Sequence, residues 1–216
     1  MPVSEESGHR SVTATARRAQ IIEATIEVLA ELGYAQTSFA RIAERARLSS
    51  TRLISYHFAG KDELLEQVVV AVTDAAAGYM GPRIESAAPG RERLRAYIES
   101  NLEWMAGSRA QIVALLAIFN SVPYSAGGQP AAYANHYQTV TTRLEDYLRE
   151  GQRAAELRAF PPRMAAVTIR AAIDAAGYRL GGDPDFDVAG YGRELADFFD
   201  QAVRAATRAP DVMERA

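Results

Sequence analysis

Apolar residues return at helical spacing along most of this chain. Between Arg17 and Gly33, Ile22, Ile26, Leu29 and Leu32 form one stripe, widened by Ile21, Thr25 and Val28. That pattern predicts an amphipathic helix with one face on a core. Gly33 supplies its C-terminal cap, because glycine enters a left-handed turn without steric cost. After "GYAQ", Thr37 or Ser38 can cap a second helix in which Phe39, Ile42, Ala43 and Ala46 share a face. A third short helix, capped by Ser49 or Ser50, turns Leu53 and Ile54 inward and leaves Ser50, Thr51, Arg52 and Ser55 outside. The fourth begins near Lys61, passes through Leu64, Leu65, Val68 and Val72, and is predicted to end at Met80, where "GPR" breaks the pattern.

Beyond "AAPG" the same periodicity predicts helices over 91–107, 108–120, 131–151, 162–180 and 188–208, separated by "SVPYSAGGQP", "FPP" and "GGDPDFD". No alternating strand pattern of useful length and no long repeat is present. Residues 1–16 are polar and aperiodic and read as a disordered tail. The fold expected is all-α: an N-terminal three-helix domain over 17–62 and a larger helical domain over 63–210.

Composition narrows the function classes. A chain of 216 residues that is 48% hydrophobic buries a real core. With no cysteine, disulfides and thiolate metal sites are excluded. No apolar run approaches membrane-spanning length and the first residues lack the apolar centre of a signal peptide, so a cytoplasmic protein without a membrane partner is expected. The net charge is −3, but its distribution matters more. Between Leu32 and Lys61, five cations (Arg41, Arg45, Arg47, Arg52, Lys61) face the single acid Glu44, leaving that stretch at +4 and the remainder at −7. A basic patch on an acidic body suits a polyanion, although such arginines are as often ordinary solvated helix residues.

Two short helices joined by a tight turn form a helix-turn-helix, whose second helix enters the DNA major groove. Arg52 can donate twice to guanine, and Ser50, Thr51 and Ser55 can bond to several bases. Tyr56, His57 and Lys61 suit phosphate oxygens, fixing register without reading sequence. Phe58 reads as a core anchor. Thr37, Ser38, Arg47 and Ser49 complete the candidate DNA-contacting set.

The run "RRAQIIEATIEVLAELGYAQTSFARIAERARLSS", followed by "ISYHFAGKDELL", resembles the DNA-binding region of the TetR family of bacterial transcriptional regulators. The carriers are the amphipathic first helix, "GYAQTS", "IAERA", Leu48 before Ser49, "YHF", and Lys61 followed by Leu64; they cover about Arg17 to Val68. Three features depart from the family pattern. The interval from Ile42 to Phe58 is one residue longer, Arg47 stands where the family carries glycine, and Ser55 replaces a frequent tyrosine, whose phosphate contact Tyr56 can take over.

The larger domain concentrates Tyr97, Asn101, Trp104, Met105, Phe119, Asn120, Tyr124, Tyr133, His136 and Tyr137. Aromatics at helical spacing are usually core, yet so many amphipathic side chains suit a pocket with apolar walls and a few orienting polar groups. All but Tyr97 are candidate effector contacts, and the resemblance implies that this region binds a small-molecule effector. Near the C-terminus, Leu195, Phe198, Phe199 and Ala202 form a stripe, while Val167, Ala171 and Ala175 keep the preceding helix thin-sided. Two such helix pairs can pack as a four-helix bundle across a two-fold axis, or each can cover its own domain.

Other chemistry finds little support. The three histidines are scattered, so no metal site is expected. Asp183, Asp185 and Asp187 have calcium-loop spacing but lack the glycine and closing glutamate such a loop needs, and helix capping is the better reading. No nucleophile elbow, phosphate loop or dinucleotide fingerprint appears, and no cofactor is expected. The reading is therefore a homodimeric, non-enzymatic regulator, a repressor released from a palindromic double-stranded DNA operator by an effector. The rival is a helical enzyme or adaptor that retains the N-terminal motif.

Overall fold

Helix succeeds helix along the chain, and no strand occurs among the described residues. The structure, a computed structural model, describes the backbone of residues 4–121 and 131–205, with side chains from 13 to 121 and from 135 to 205. In chain order the helices are α1 (Ser4–Gln36), α2 (Phe39–Arg45), α3 (Arg52–His57), α4 (Lys61–Ser86), α5 (Arg91–Gly107), α6 (Arg109–Phe119), α7 (Ala131–Arg153), α8 (Pro162–Gly182) and α9 (Val188–Val203). No single helix among the described residues is long and apolar enough to cross a membrane.

Two boundaries differ from expectation. The segment before Arg17, read as a disordered tail, continues α1 back to Ser4; no proline interrupts it, and a helix already nucleated by its apolar half extends at low cost. Pro82 does not end α4, which runs on to Ser86. Beyond the proline Ile84 is buried, and Arg83 pairs with Glu99 and Glu103 of α5, so tertiary contacts hold the last turn. Gly33, at φ 73°, breaks the helical course of α1 where the cap was expected. Asp187 caps α9 by accepting from the Gly190 N–H at 2.8 Å.

Three apolar clusters organise the packing. Ile21, Ala24 and Val28 of α1 meet Ile42, Ala43, Ile54, Phe58 and Leu64 in the N-terminal unit. Phe58 is the expected anchor and is almost wholly buried. Burying an Ile, Leu or Phe side chain is worth roughly 1.5–3 kcal/mol, so these residues fix how the short helices sit on α1. A second cluster joins Ile26 and Leu29 of α1 to Leu65, Val68, Val69 and Val72 of α4 and Ala114 and Ile118 of α6. The third fills the body, with Ile98 and Leu102 of α5, Leu144 and Leu148 of α7, Ile169 and Ile173 of α8, and Ala196 and Phe199 of α9. Helices α5 and α6 meet at 96°, which lets α6 lie against α1 while α5 stays in the body.

Candidate functional site

Ser38 is the N-cap of α2, its hydroxyl accepting from the Arg41 N–H at 3.4 Å. The turn to α3 runs from Ala46 to Thr51. Ala46 is buried and accepts at its carbonyl from Gln20 Nε2 at 2.8 Å, and the Leu48 N–H donates to Ala43 O at 2.8 Å. Arg47 sits between these anchors in the left-handed region, at φ 51°. Thr51, rather than Ser49 or Ser50, is the N-cap of α3, and the Ser50 hydroxyl accepts from the Arg52 N–H at 3.2 Å. Ser49 and Ser50 therefore precede the helix.

The face that results is polar and open. Ser49, Ser50, Thr51, Arg52, Ser55 and Tyr56 are exposed beside Ser38 and Arg47, with Tyr56 81% accessible and edge-on to His57. Ile54 is buried beneath them, while Leu53 is half-buried. Three candidates behave otherwise, and of these His57 is simply half-buried. Thr37 is buried and donates its hydroxyl to Gly33 O at 2.8 Å, so it ties the break in α1 and does not reach the surface. Lys61 is half-buried; its Nζ donates to Tyr34 O at 3.2 Å and lies 4.1 Å from that ring's centre, latching the start of α4 to the end of α1.

Ion pairing also trims the basic patch. Arg45 pairs with Glu27 at 3.0 Å and with Glu31, both on α1, and Glu31 Oε1 accepts a further bond at 2.8 Å. Arg18 stacks 4.3 Å over the Phe58 ring and donates to His57 O, so α1 carries the back of α3.

On the other side of the second cluster lies a cavity of about 190 Å³ between α4, α5, α6, α7 and α8. Six of the candidate effector contacts line it: Asn101, Trp104, Met105, Phe119, His136 and Tyr137. Asn120 does not; it is exposed at the end of α6 and accepts from the Tyr178 hydroxyl at 3.5 Å. Tyr124 and the side chain of Tyr133 lie outside the described residues. Among the lining residues not read as contacts are Tyr97, Arg143, Tyr147, Arg170, Asp174 and Tyr178. Arg170 is 6% exposed and donates to Asp174 Oδ1 from Nε at 2.9 Å and to Asn101 Oδ1 from Nη1 at 3.1 Å. Burial works against its charge, but Tyr97 and Asp174 act the other way and hold its pKa above the ordinary value. His136 is pushed below the usual histidine value, first by burial and then by the Arg170 charge. The signal for this pair was a charged residue on the apolar face of α8, in register with Ala166, Ile169 and Ile173 and four residues before a carboxylate.

The candidate interface residues divide. On α8, Val167, Ala171 and Ala175 are exposed on one stripe with Met164 and Tyr178. On α9, Phe198 (66% accessible) and Ala202 are exposed, Leu195 is half-buried, and Phe199 is buried in the body of its own subunit. Phe199 is therefore a core residue, because its position on α9 points at α5.

The chain matches the sequence profile of bacterial regulatory proteins of the tetR family over residues 21–68, and that of the tetracyclin repressor-like C-terminal domain over 87–177. It is 30% identical over 187 residues to the HTH-type transcriptional regulator BetI of Paraburkholderia phymatum, covering 85% of this chain and 91% of that one. Its fold resembles that of the transcriptional regulator FadR from Bacillus subtilis in complex with stearoyl-CoA (TM-score 0.74, 21% identity, 86% of this chain and 99% of that one). It also resembles a transcriptional regulator from Saccharomonospora viridis in complex with choline (TM-score 0.67, 23% identity, 89% and 100%). An exposed helix-turn-helix on a helical body, the two matched profiles and the near full-length likeness to a regulator together make this chain a member of the TetR family of bacterial transcriptional regulators.

Proposed function

We propose that two copies of this chain hold a two-fold symmetric operator and release it when a small molecule fills the cavity. Residues 17–62 form the reader, and 63–210 the sensor and dimer contact. One observation carries the reading: the cavity wall and the support of α1 are built partly from the same side chains. Val72, Trp104, Leu115 and Phe119 line the cavity and also belong to, or pack against, the cluster that holds Ile26 and Leu29 of α1. A molecule that displaces these walls acts on the helix that carries the reader. Half-sites lie about 34 Å apart along one face of DNA, so a shift of a few ångströms per subunit prevents both readers from docking together. The solved relatives bound to stearoyl-CoA and to choline support a ligand-responsive body.

Fluorescence anisotropy on a duplex selected by the protein, set against a scrambled duplex, tests the reader. Arg52→Ala should lose about 1–3 kcal/mol on the selected duplex and little on the scrambled one. Equal losses on both would remove Arg52 from base reading.

A further inference from the structure

We propose that the cavity takes a compact aromatic monocarboxylate, its carboxylate seated at Arg170 and its ring among Trp104, Phe119 and Tyr137. This names the ligand class of the cavity and so rests on the effector reading.

The first ground is the unequal burial of the one ion pair in the cavity wall. The Arg170 side chain is 7% exposed, whereas that of Asp174 is 34% exposed. Both groups line the cavity, and the carboxylate is the better hydrated of the two, so the guanidinium's charge, held in dry surroundings, is the less screened. Both close contacts to Asp174 go to the same oxygen, from Nε at 2.9 Å and Nη2 at 2.6 Å. That is short of the parallel two-oxygen fork a guanidinium makes with a well-placed carboxylate. The remaining partners of Arg170 are neutral, Asn101 Oδ1 at 3.1 Å and the Tyr97 hydroxyl at 3.5 Å. Arg143 lies in the same wall and pairs with Glu85, which does not line the cavity.

The second ground is the effect of Arg170 on a titratable group already in the wall. Charging His136 is opposed by burial and next by Arg170, with Asp174 acting the other way as the smallest influence. Burial opposes a ligand of either charge, but Arg170 repels a quaternary ammonium as it does a charged His136, and attracts a carboxylate. The third ground is size. A cavity of about 150 Å³ holds benzene, so 190 Å³ accommodates one ring with a short acidic arm.

Calorimetry and Trp104 fluorescence on the full chain, with benzoate, phenylacetate, benzyl alcohol and choline as probes, decide the matter. An acid should bind at least about tenfold more tightly than benzyl alcohol or choline. Arg170→Gln should erase that preference. Asn101→Asp, nearly isosteric, should do so as well by giving the guanidinium a resident carboxylate, and it serves if Arg170→Gln does not fold. Tighter binding of choline or benzyl alcohol than of either acid overturns the anion site while leaving the cavity a sensor. Binding by none of the four overturns it outright. An acid that binds through Arg170 yet leaves DNA affinity unchanged keeps the anion site and removes the effector reading instead.

Discussion

Arg47 occupies, at φ 51°, a backbone conformation that costs an ordinary L residue about 1–2 kcal/mol. The turn imposes it: buried Ala46 on one side and the Leu48–Ala43 hydrogen bond on the other leave the chain no other course. Arg47→Gly should therefore raise stability in a denaturant titration by about 0.5–1 kcal/mol, glycine's own entropy cost taking back part of the relief. It should also weaken binding to every duplex, since an exposed cation is lost from the reading face. Ala155→Gly, at φ 58°, should give a similar gain with DNA affinity untouched, which separates strain from recognition. The strain at Arg47 was legible in the sequence, where an arginine replaces the family's glycine. The role of Arg170 was not, because what makes it a binding group is its burial against Tyr97 and Asn101, 73 and 69 residues earlier.

Helix α9 depends on its fit to α5. Gly192 permits close approach, for a Cβ there would stand 2.8 Å from Leu102 Cβ. At its far end Asp200 receives both arms of Arg91, at 2.7 and 2.6 Å, and Arg204 at 3.0 Å. Arg91 above all, against the opposing effect of burial and with help from Arg204, holds the Asp200 pKa at about 2, below its ordinary 3.8. A carboxylate depressed in the folded state stabilises it fully above the unfolded value. That stability, on the order of 2 kcal/mol, is lost as pH falls from about 4 to about 2. Urea unfolding at pH 5, 3 and 2 should show the loss in the native chain and a flatter profile in Asp200→Asn. The helices themselves were legible from apolar periodicity, including the short α2 and α3. Most of their starts were legible too, and α5 at both ends, but the end of α4 was not: Pro82 was taken for a stop, whereas the burial of Ile84 and the ion pairs of Arg83 come from α5 and the body, which local sequence does not display.

Across the whole molecule, the proposed dimer would join the exposed stripes of α8 and α9, none of whose residues belongs to the reader. Phe198→Glu should give monomers in sedimentation and cost operator affinity while leaving the thermal melt of the subunit nearly unchanged, because the side chain is exposed. Phe199→Glu should instead unfold the subunit, and dimers persisting in Phe198→Glu would move the contact elsewhere. The sequence stripe grouped the two phenylalanines; only the rotation of α9 against α5 parts them. The ion pairing of Arg45 bears on a different property. Affinity for DNA falls with salt because each phosphate neutralised by a protein cation frees condensed counterions, a slope of about 0.9 in log K against log salt per phosphate. Arg45, already balanced by Glu27 and Glu31, has little charge left to release any. The ionic-strength sensitivity of the proposed reader should therefore fall to the exposed Arg41, Arg47 and Arg52, and α1 acts as an electrostatic ballast that keeps binding from depending on the whole basic stretch.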